Sequence, residues 1–190
     1  SYSEDVYAMV HERVKDIPDD ERARAFFLFQ YNDSTIMTSG QLFFGQWWAD
    51  AIGAVNVANE LTTDNSVTVN LEQVYDWNPD IIFMTNFNTF QPDDLYNNTV
   101  GTYDWSGIQA VQDKSVYKMP LGMYRSYTPG IDTPITLLWM AKTTYPTLFE
   151  DIDVTQRAID YYETVFGVTL TSEQVESIFA PISAAGTLYF

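Results

Sequence analysis

Seven consecutive residues, Ala25 to Tyr31 (Ala-Phe-Phe-Leu-Phe-Gln-Tyr), are apolar at every position but one. Polar and apolar residues do not alternate, so neither face of this segment is suited to water. That is the pattern of a strand covered on both sides. Strands covered on both sides belong to mainly parallel sheets, which need helices above and below. Ile81 to Thr85 repeats the pattern, and Val116 to Met119 gives a third, shorter strand.

Helical segments lie between them. Ser3 to Lys15 places Val6, Met9, Val10 and Val14 along one side and breaks at Ile17-Pro18. Asn32 to Gly40 is polar and reads as a loop. Gln41 to Ile52 follows as a helix ending near Gly53. Asn70 with Gln73 forms a helix-start signal, and that helix ends at Asn78-Pro79. Thr133-Pro134 opens another, with threonine at the cap and proline in the first turn. Val154 to Phe166 carries Val154, Ala158, Tyr161, Tyr162, Val165 and Phe166 on one face, and Gly167 ends it. Thr171 and Gln174 cap a last helix that stops before Pro181. The order predicts a three-layer, Rossmann-like α/β unit with a mainly parallel sheet flanked by helices.

Composition narrows the chemistry. A net charge of −17 repels polyanions, so nucleic acid is not an expected partner. Without cysteine there are no disulfides, thiolate metal sites or thiol redox chemistry, and a single histidine, His11, excludes a two-histidine site within the chain. No metal-ligand set and no cofactor is expected. Glycine-rich phosphate loops, a G-x-S-x-G elbow and H-E-x-x-H are all missing. Asp19-Asp20, Asp93-Asp94, Asp151 and Asp153 stand where turns and helix caps are expected, and no nucleophile is paired with a base. Catalytic residues are therefore not expected, and the chain reads as a non-enzyme.

Ligands of such sheets sit beyond the C-terminal strand ends. Here those are the segments 31–41, 85–91 and 120–133. They hold aromatic and amide side chains, and Gln41, Phe43, Asn86, Phe87, Tyr124, Arg125 and Tyr127 are the candidate ligand-binding residues. Trp47, Trp48 and Trp139 lie inside helices and are expected in the core. Arg125, between two tyrosines, suits an anionic ligand; the alternative is an ion pair with a carboxylate such as Asp132.

Five segments carry a resemblance, in order. They are Gly45 to Glu60 (Gly-Gln-Trp-Trp-Ala-Asp-Ala-Ile-Gly-Ala-Val-Asn-Val-Ala-Asn-Glu), Val69 to Phe83 with its Asn78-Pro79-Asp80, and Trp105 to Met119. The others are Trp139 to Phe149 with Tyr145-Pro146, and Ile159 to Leu170. The chain resembles the C-terminal lobe of solute-binding proteins of the cobalamin and ferric-siderophore ABC-importer family, of the TroA-like superfamily with a helical backbone. Ala54 stands where the family's turn has a second glycine.

The resemblance implies two lobes joined by a long helix. Residues 1–24 would be the end of that helix and a linker, and 25–190 the C-terminal ligand-binding lobe. The N-terminal lobe, export signal and any lipid-bearing cysteine would lie outside this chain. It further implies capture of a metal chelate (ferric siderophore, haem or a cobalamin-like compound), delivery to a membrane ABC permease, and an extracytoplasmic, lipid-anchored location. Glu72 lies where the family carries a permease-docking glutamate; a favourable place in a helix first turn is the alternative. Two rival functions remain, a flavodoxin-like enzyme domain and a surface-interaction module. Ala184 to Phe190 matches nothing in the family.

Overall fold

The computed structural model describes residues 2–182. The remarks on Ala184 to Phe190 therefore fall outside the described residues.

Helix α1 (Tyr2–Val14) leads into strand β1 (Arg24–Leu28), then β2 (Gln30–Tyr31) and β3 (Ile36–Ser39). Next come α2 (Phe44–Ile52), β4 (Val55–Asn56), β5 (Ser66–Val69), α3 (Leu71–Trp77) and β6 (Ile81–Met84). After these follow α4 (Pro92–Tyr96), α5 (Gln109–Gln112), β7 (Val116–Lys118), α6 (Thr133–Thr144), α7 (Val154–Phe166) and α8 (Ser172–Phe179). The central sheet has the order β4-β1-β6-β7 and is parallel throughout. A second, antiparallel sheet has the order β2-β3-β5.

Both faces of β1 and β6 are buried, as their sequences require. Ala25, Phe27, Ile81 and Phe83 join Trp48, Leu138 and Val10 in one core, the layer built by α1, α2 and α6. Phe26, Leu28, Ile82 and Met84 join Val74, Trp105 and Val111 in the core on the opposite face. A third cluster holds Ala158, Tyr161 and Tyr162 of α7 against Ile135 and Val175. Three buried valines of α1, Val6, Val10 and Val14, pack into the first core, so this helix is integral to the unit.

Local signals hold at the helix ends. Asn70 and Gln73 cap α3 reciprocally, and Thr171 and Gln174 do the same for α8. Gly53, at φ 71°, ends α2 in the left-handed region that favours glycine.

Six expectations are corrected. The apolar run is not one strand: β1 stops at Leu28, and Phe29 donates its N–H to the Met37 carbonyl at 2.8 Å, carrying the chain into the second sheet. Asn32 to Gly40 is not simply a loop, because it contains β3, reached through a turn in which Asn32 Oδ1 accepts from the Ser34 N–H. Thr133 is the first helical residue of α6, and Asp132 precedes it. Val165 is 45% exposed rather than part of the buried face of α7. Of the acidic residues, Asp153 caps α7 as read, whereas Asp151 forms a two-bond ion pair with Arg13. Trp48 is fully buried, while Trp47 is 38% exposed.

Candidate functional site

The parallel strands β1, β6 and β7 end at Leu28, Met84 and Lys118. Ligands of parallel α/β sheets generally sit beyond this C-terminal side, among the loops that leave it. Phe29, the first residue after β1, is the hub there. Its ring centroid lies 5.6 Å from Phe43 in an edge-to-face arrangement, 5.1 Å from Phe87 and 5.4 Å from Tyr127. Phe43 stacks on Phe44 at 4.7 Å. Such pairs are worth about 0.5–1.5 kcal/mol beyond area burial.

Tyr127 is wholly buried and forms the floor of this cluster rather than its surface. Its hydroxyl accepts from the Gly45 N–H at 3.2 Å, and its carbonyl accepts from the Trp48 indole N–H at 2.8 Å. Burial pushes the phenol well above its usual value, with hydrogen bonds to Ser39 and Gly45 opposing. Gly45 has no room for a side chain: a Cβ there would come within 2.5 Å of Ser39 Cβ.

Above the floor, the Arg125 guanidinium stands 4.9 Å from the Phe87 ring centroid and 5.9 Å from that of Tyr124. A cation over an aromatic face contributes about 0.5–2 kcal/mol, depending on how dry the site is. Tyr124 is 56% exposed. The loop carrying both residues is fixed by Asp132. This buried carboxylate accepts from the Met123 N–H at 2.6 Å, the Tyr124 N–H at 3.4 Å and the Tyr162 hydroxyl at 2.6 Å. Burial, then the hydrogen bond to Asp132, pushes the Tyr162 phenol far up, so it stays a donor. Beside the loop, a cavity of about 70 Å3 is lined by Arg125, Ser126, Thr128 and the start of α6.

Asn86 is fully buried, and neither of its amide atoms has a hydrogen-bond partner among the described residues. A buried unpaired amide is costly, about 1–3 kcal/mol per group. Gln41 is exposed two residues before Phe43, its backbone N–H tied to the Leu61 carbonyl. Phe43, Phe87, Arg125, Tyr124 and Tyr127 are thus brought together. Asn86 and Gln41 adjoin them only in the chain, one residue before Phe87 and two before Phe43. Glu72 is exposed at the second position of α3, apart from this cluster in sequence and on a capped helix start.

Two residues escaped the sequence reading. Phe29 was hidden inside an apolar run, where no position is marked as special. Lys118 ends a buried strand and is itself only 4% exposed; a lysine in such a strand is the signal that could have found it. Wider clefts, of about 460 and 700 Å3, run along the outer side of β7 among Tyr117, Trp139 and Phe179. The larger flanks the sheet, and the smaller also reaches the C-terminal end of β7, where Lys118, Gln91 and Pro92 line it. Among the described residues no group of three acidic or histidine side chains is placed to hold a metal ion, and no helix is long and apolar enough to cross a membrane.

No family model matches the chain. It is 28% identical over 164 residues to the molybdate-binding protein MolA of Haemophilus influenzae, covering 83% of this chain and 43% of MolA. It superposes on a periplasmic solute-binding protein of Veillonella parvula with a TM-score of 0.84 at 28% identity, over 98% of this chain and 55% of that one. Molybdate-bound MolA gives a TM-score of 0.70 at 25% identity, over 90% and 50% of the two chains. CeuE of Helicobacter pylori, in its nickel–histidine complex, shares the fold with a TM-score of 0.73 at 23% identity, over 94% and 54%. The chain spans about half the length of the relatives it matches. Its structural neighbours are periplasmic solute-binding proteins of the TroA-like, ABC-importer type, and the fold fits one lobe of such a protein.

Proposed function

We propose that this chain is the C-terminal ligand-binding lobe of an extracytoplasmic receptor that captures a metal-containing solute and hands it to an ABC permease. One observation carries the reading. At the C-terminal ends of parallel strands, an open aromatic surface of Phe29, Phe43 and Phe87 meets a guanidinium set on Phe87. Rings offer contact area to a bulky chelate, and the arginine offers a permanent forked donor to its anionic groups. On a chain of net charge −17, an anionic ligand needs a local cation of this kind.

In this reading Phe43, Phe87, Tyr124, Arg125 and Gln41 face the ligand, with Tyr127 and Asn86 supporting them from beneath. Residues 1–24 end an interlobe helix, and a second lobe closes over the face. Capture makes and breaks no bond, so affinity rests on shape and a few directional contacts. Glu72, exposed on α3, is the residue we assign to permease docking. The relatives support a metal-containing cargo in general: their names include molybdate and nickel–histidine. Ferric siderophore is the chelate class that the ring-and-arginine chemistry suits best.

A single lobe offers a half-site, so weak binding is expected of the 190-residue chain. Nuclear magnetic resonance detects such binding. Ferric tris-catecholate, a ferric hydroxamate, haem, cobalamin and molybdate are titrated in turn. Perturbation centred on Phe87, Tyr124 and Arg125 by at least one probe is the expected result. Perturbation confined to the Tyr117–Trp139–Phe179 cleft, or none with any probe, would overturn the site.

A further inference from the structure

Lys118 is a lysine held inside the protein. Its ammonium donates to the Asn88 carbonyl at 2.7 Å, the Phe90 carbonyl at 2.8 Å and Asn88 Oδ1 at 3.3 Å. All three acceptors belong to one loop, 85–91, and none is a carboxylate. The same Asn88 turns its amide N–H groups the other way, to the Phe29 carbonyl at 3.4 Å and the Thr85 carbonyl at 3.3 Å. Thr85 Oγ1 also donates to the Phe29 carbonyl, at 2.5 Å. A continuous path of hydrogen bonds therefore runs from Lys118 through Asn88 to the backbone of Phe29, and the loop along it carries Phe87.

We propose that Lys118 is the positioning residue of the ligand face: its ammonium fixes Asn88, and through it the placement of Phe87 against Phe29, and loss of its proton loosens that placement. This rests on the assignment of the ligand face made above. The chemistry is in the donor count. An ammonium has three N–H donors for three oxygens. A neutral amine has two, and its lone pair then points at a carbonyl oxygen. Burial drives the ammonium down from the ordinary lysine range to about 7, and the Asp94 carboxylate opposes that.

Few charges face it among the described residues. From α4 come Asp94, engaged by the Gln91 N–H and the Thr99 hydroxyl, and Asp93 at the lip of the adjoining cleft. Tyr96, also of α4, exchanges hydrogen bonds with the Val116 backbone and carries the Lys114 ammonium 4.0 Å over its ring. The loop 85–91 and β6 supply no charged side chain, and α6 and α8 present Trp139 and Phe179.

The experiment uses the ligand-free 190-residue chain. It has four lysines, so carbon-13 labelling at Cε gives four signals to follow against pH. One should titrate near neutrality. Between pH 6 and 8.5, amide protection in residues 86–91, corrected for intrinsic exchange, should fall about tenfold, and the Phe87 ring resonances should move with the same midpoint. Lys118→Met should show the loosened loop at both pH values and no midpoint. A Lys118 signal titrating above pH 9, or Phe87 resonances indifferent to it, would overturn the proposal; both are read on the unsubstituted chain, so a variant that fails to fold does not shield it. Ferric tris-catecholate, a ferric hydroxamate, haem, cobalamin and molybdate are then added in turn at pH 6. A pH-responsive loop whose Phe87 ring ignores all five probes would remove the ligand face and leave the lysine clasp standing.

Discussion

Two aromatic clusters grow from the same apolar run, and they are built to opposite ends. One surrounds Tyr31, whose ring centroid lies 5.4 Å from Phe90, 5.7 Å from Tyr103 and 5.6 Å from Trp105. It is closed at its centre: Tyr31 and Trp105 are buried, the Trp105 indole N–H donates to the Tyr31 hydroxyl at 2.8 Å, and the Trp105 backbone N–H donates to Asn98 Oδ1, while Phe90 and Tyr103 at its edge stay partly exposed. The other surrounds Phe29, two residues earlier. It is open: Phe29, Phe43 and Phe87 are all partly exposed, and Phe87 has the Arg125 guanidinium at 4.9 Å as well as the Phe29 ring at 5.1 Å. Shut and hydrogen-bonded, the first cluster stores stability. The second leaves aromatic area exposed, and in the proposed function that area is what a ligand meets.

The sharpest break of this contrast is Trp105→Ala. It should remove about 3–5 kcal/mol of stability, as expected for an emptied tryptophan site, measured by urea unfolding. A loss below 1 kcal/mol would mean the Tyr31 cluster is not the closed one.

Next is Arg125→Ala, with its effect on the other side of the ledger. Binding of an anionic chelate by the complete receptor should weaken by about 1.5–3 kcal/mol while the ligand-free melting temperature barely moves. Unchanged affinity together with a clear loss of stability would make Arg125 a structural residue and the open cluster merely an unfinished core.

Tyr31→Phe is subtler. It deletes the acceptor of the Trp105 indole and leaves a buried donor unpaired, for about 1–3 kcal/mol. The same hydroxyl sets a pH window. Burial, against the Trp105 hydrogen bond, pushes the Tyr31 phenol up from 10.0 to about 12. The folded form thus holds its proton where the unfolded chain has lost it. Tyr31 therefore contributes its stability fully below pH 10 and loses it as pH rises toward 12. Denaturation midpoints followed across that range should fall more steeply for the native chain than for Tyr31→Phe; parallel curves would show that the phenol is not shielded.

Smallest is Glu72→Ala, outside both clusters. Stability should change by no more than about 0.5 kcal/mol, the scale of a charge in a helix first turn, and ligand affinity not at all. Transport by cells carrying the complete receptor should fall. Normal transport at limiting receptor would leave Glu72 only its place at the helix start.

Much of the layout was legible beforehand because it is written in short-range patterns. The two-faced burial of Ala25 to Leu28 shows in uninterrupted apolarity. The starts of α3 and α8 show in Asn70-x-x-Gln73 and Thr171-x-x-Gln174, and Gly53 and Gly167 mark the ends of α2 and α7. The small sheet was not read: β3 is the stretch Ile-Met-Thr-Ser with no alternation to separate it from loop, whereas β5, Ser-Val-Thr-Val, does alternate, at the shortest length that carries a strand signal. Of the candidate site, Phe43, Phe87 and Arg125 were found by their positions after strands. The role of Tyr127 as floor was not, since exposure and burial look alike in a tyrosine flanked by serine and threonine.

Taken alone, then, the sequence determined the parallel α/β class, most helix boundaries and which loops share the C-terminal end of the sheet. Each of these follows from residues within about four positions of one another, or from the direction of parallel strands. Tertiary structure alone decided that the apolar run divides between two sheets at Phe29, and that Phe29 serves the open cluster while Tyr31 serves the closed one. It also decided that Lys118 is tied to the carbonyls of a loop about thirty residues before it. Those outcomes depend on which distant backbone groups need hydrogen-bond partners once water is excluded, and that demand exists only after the strands have come together.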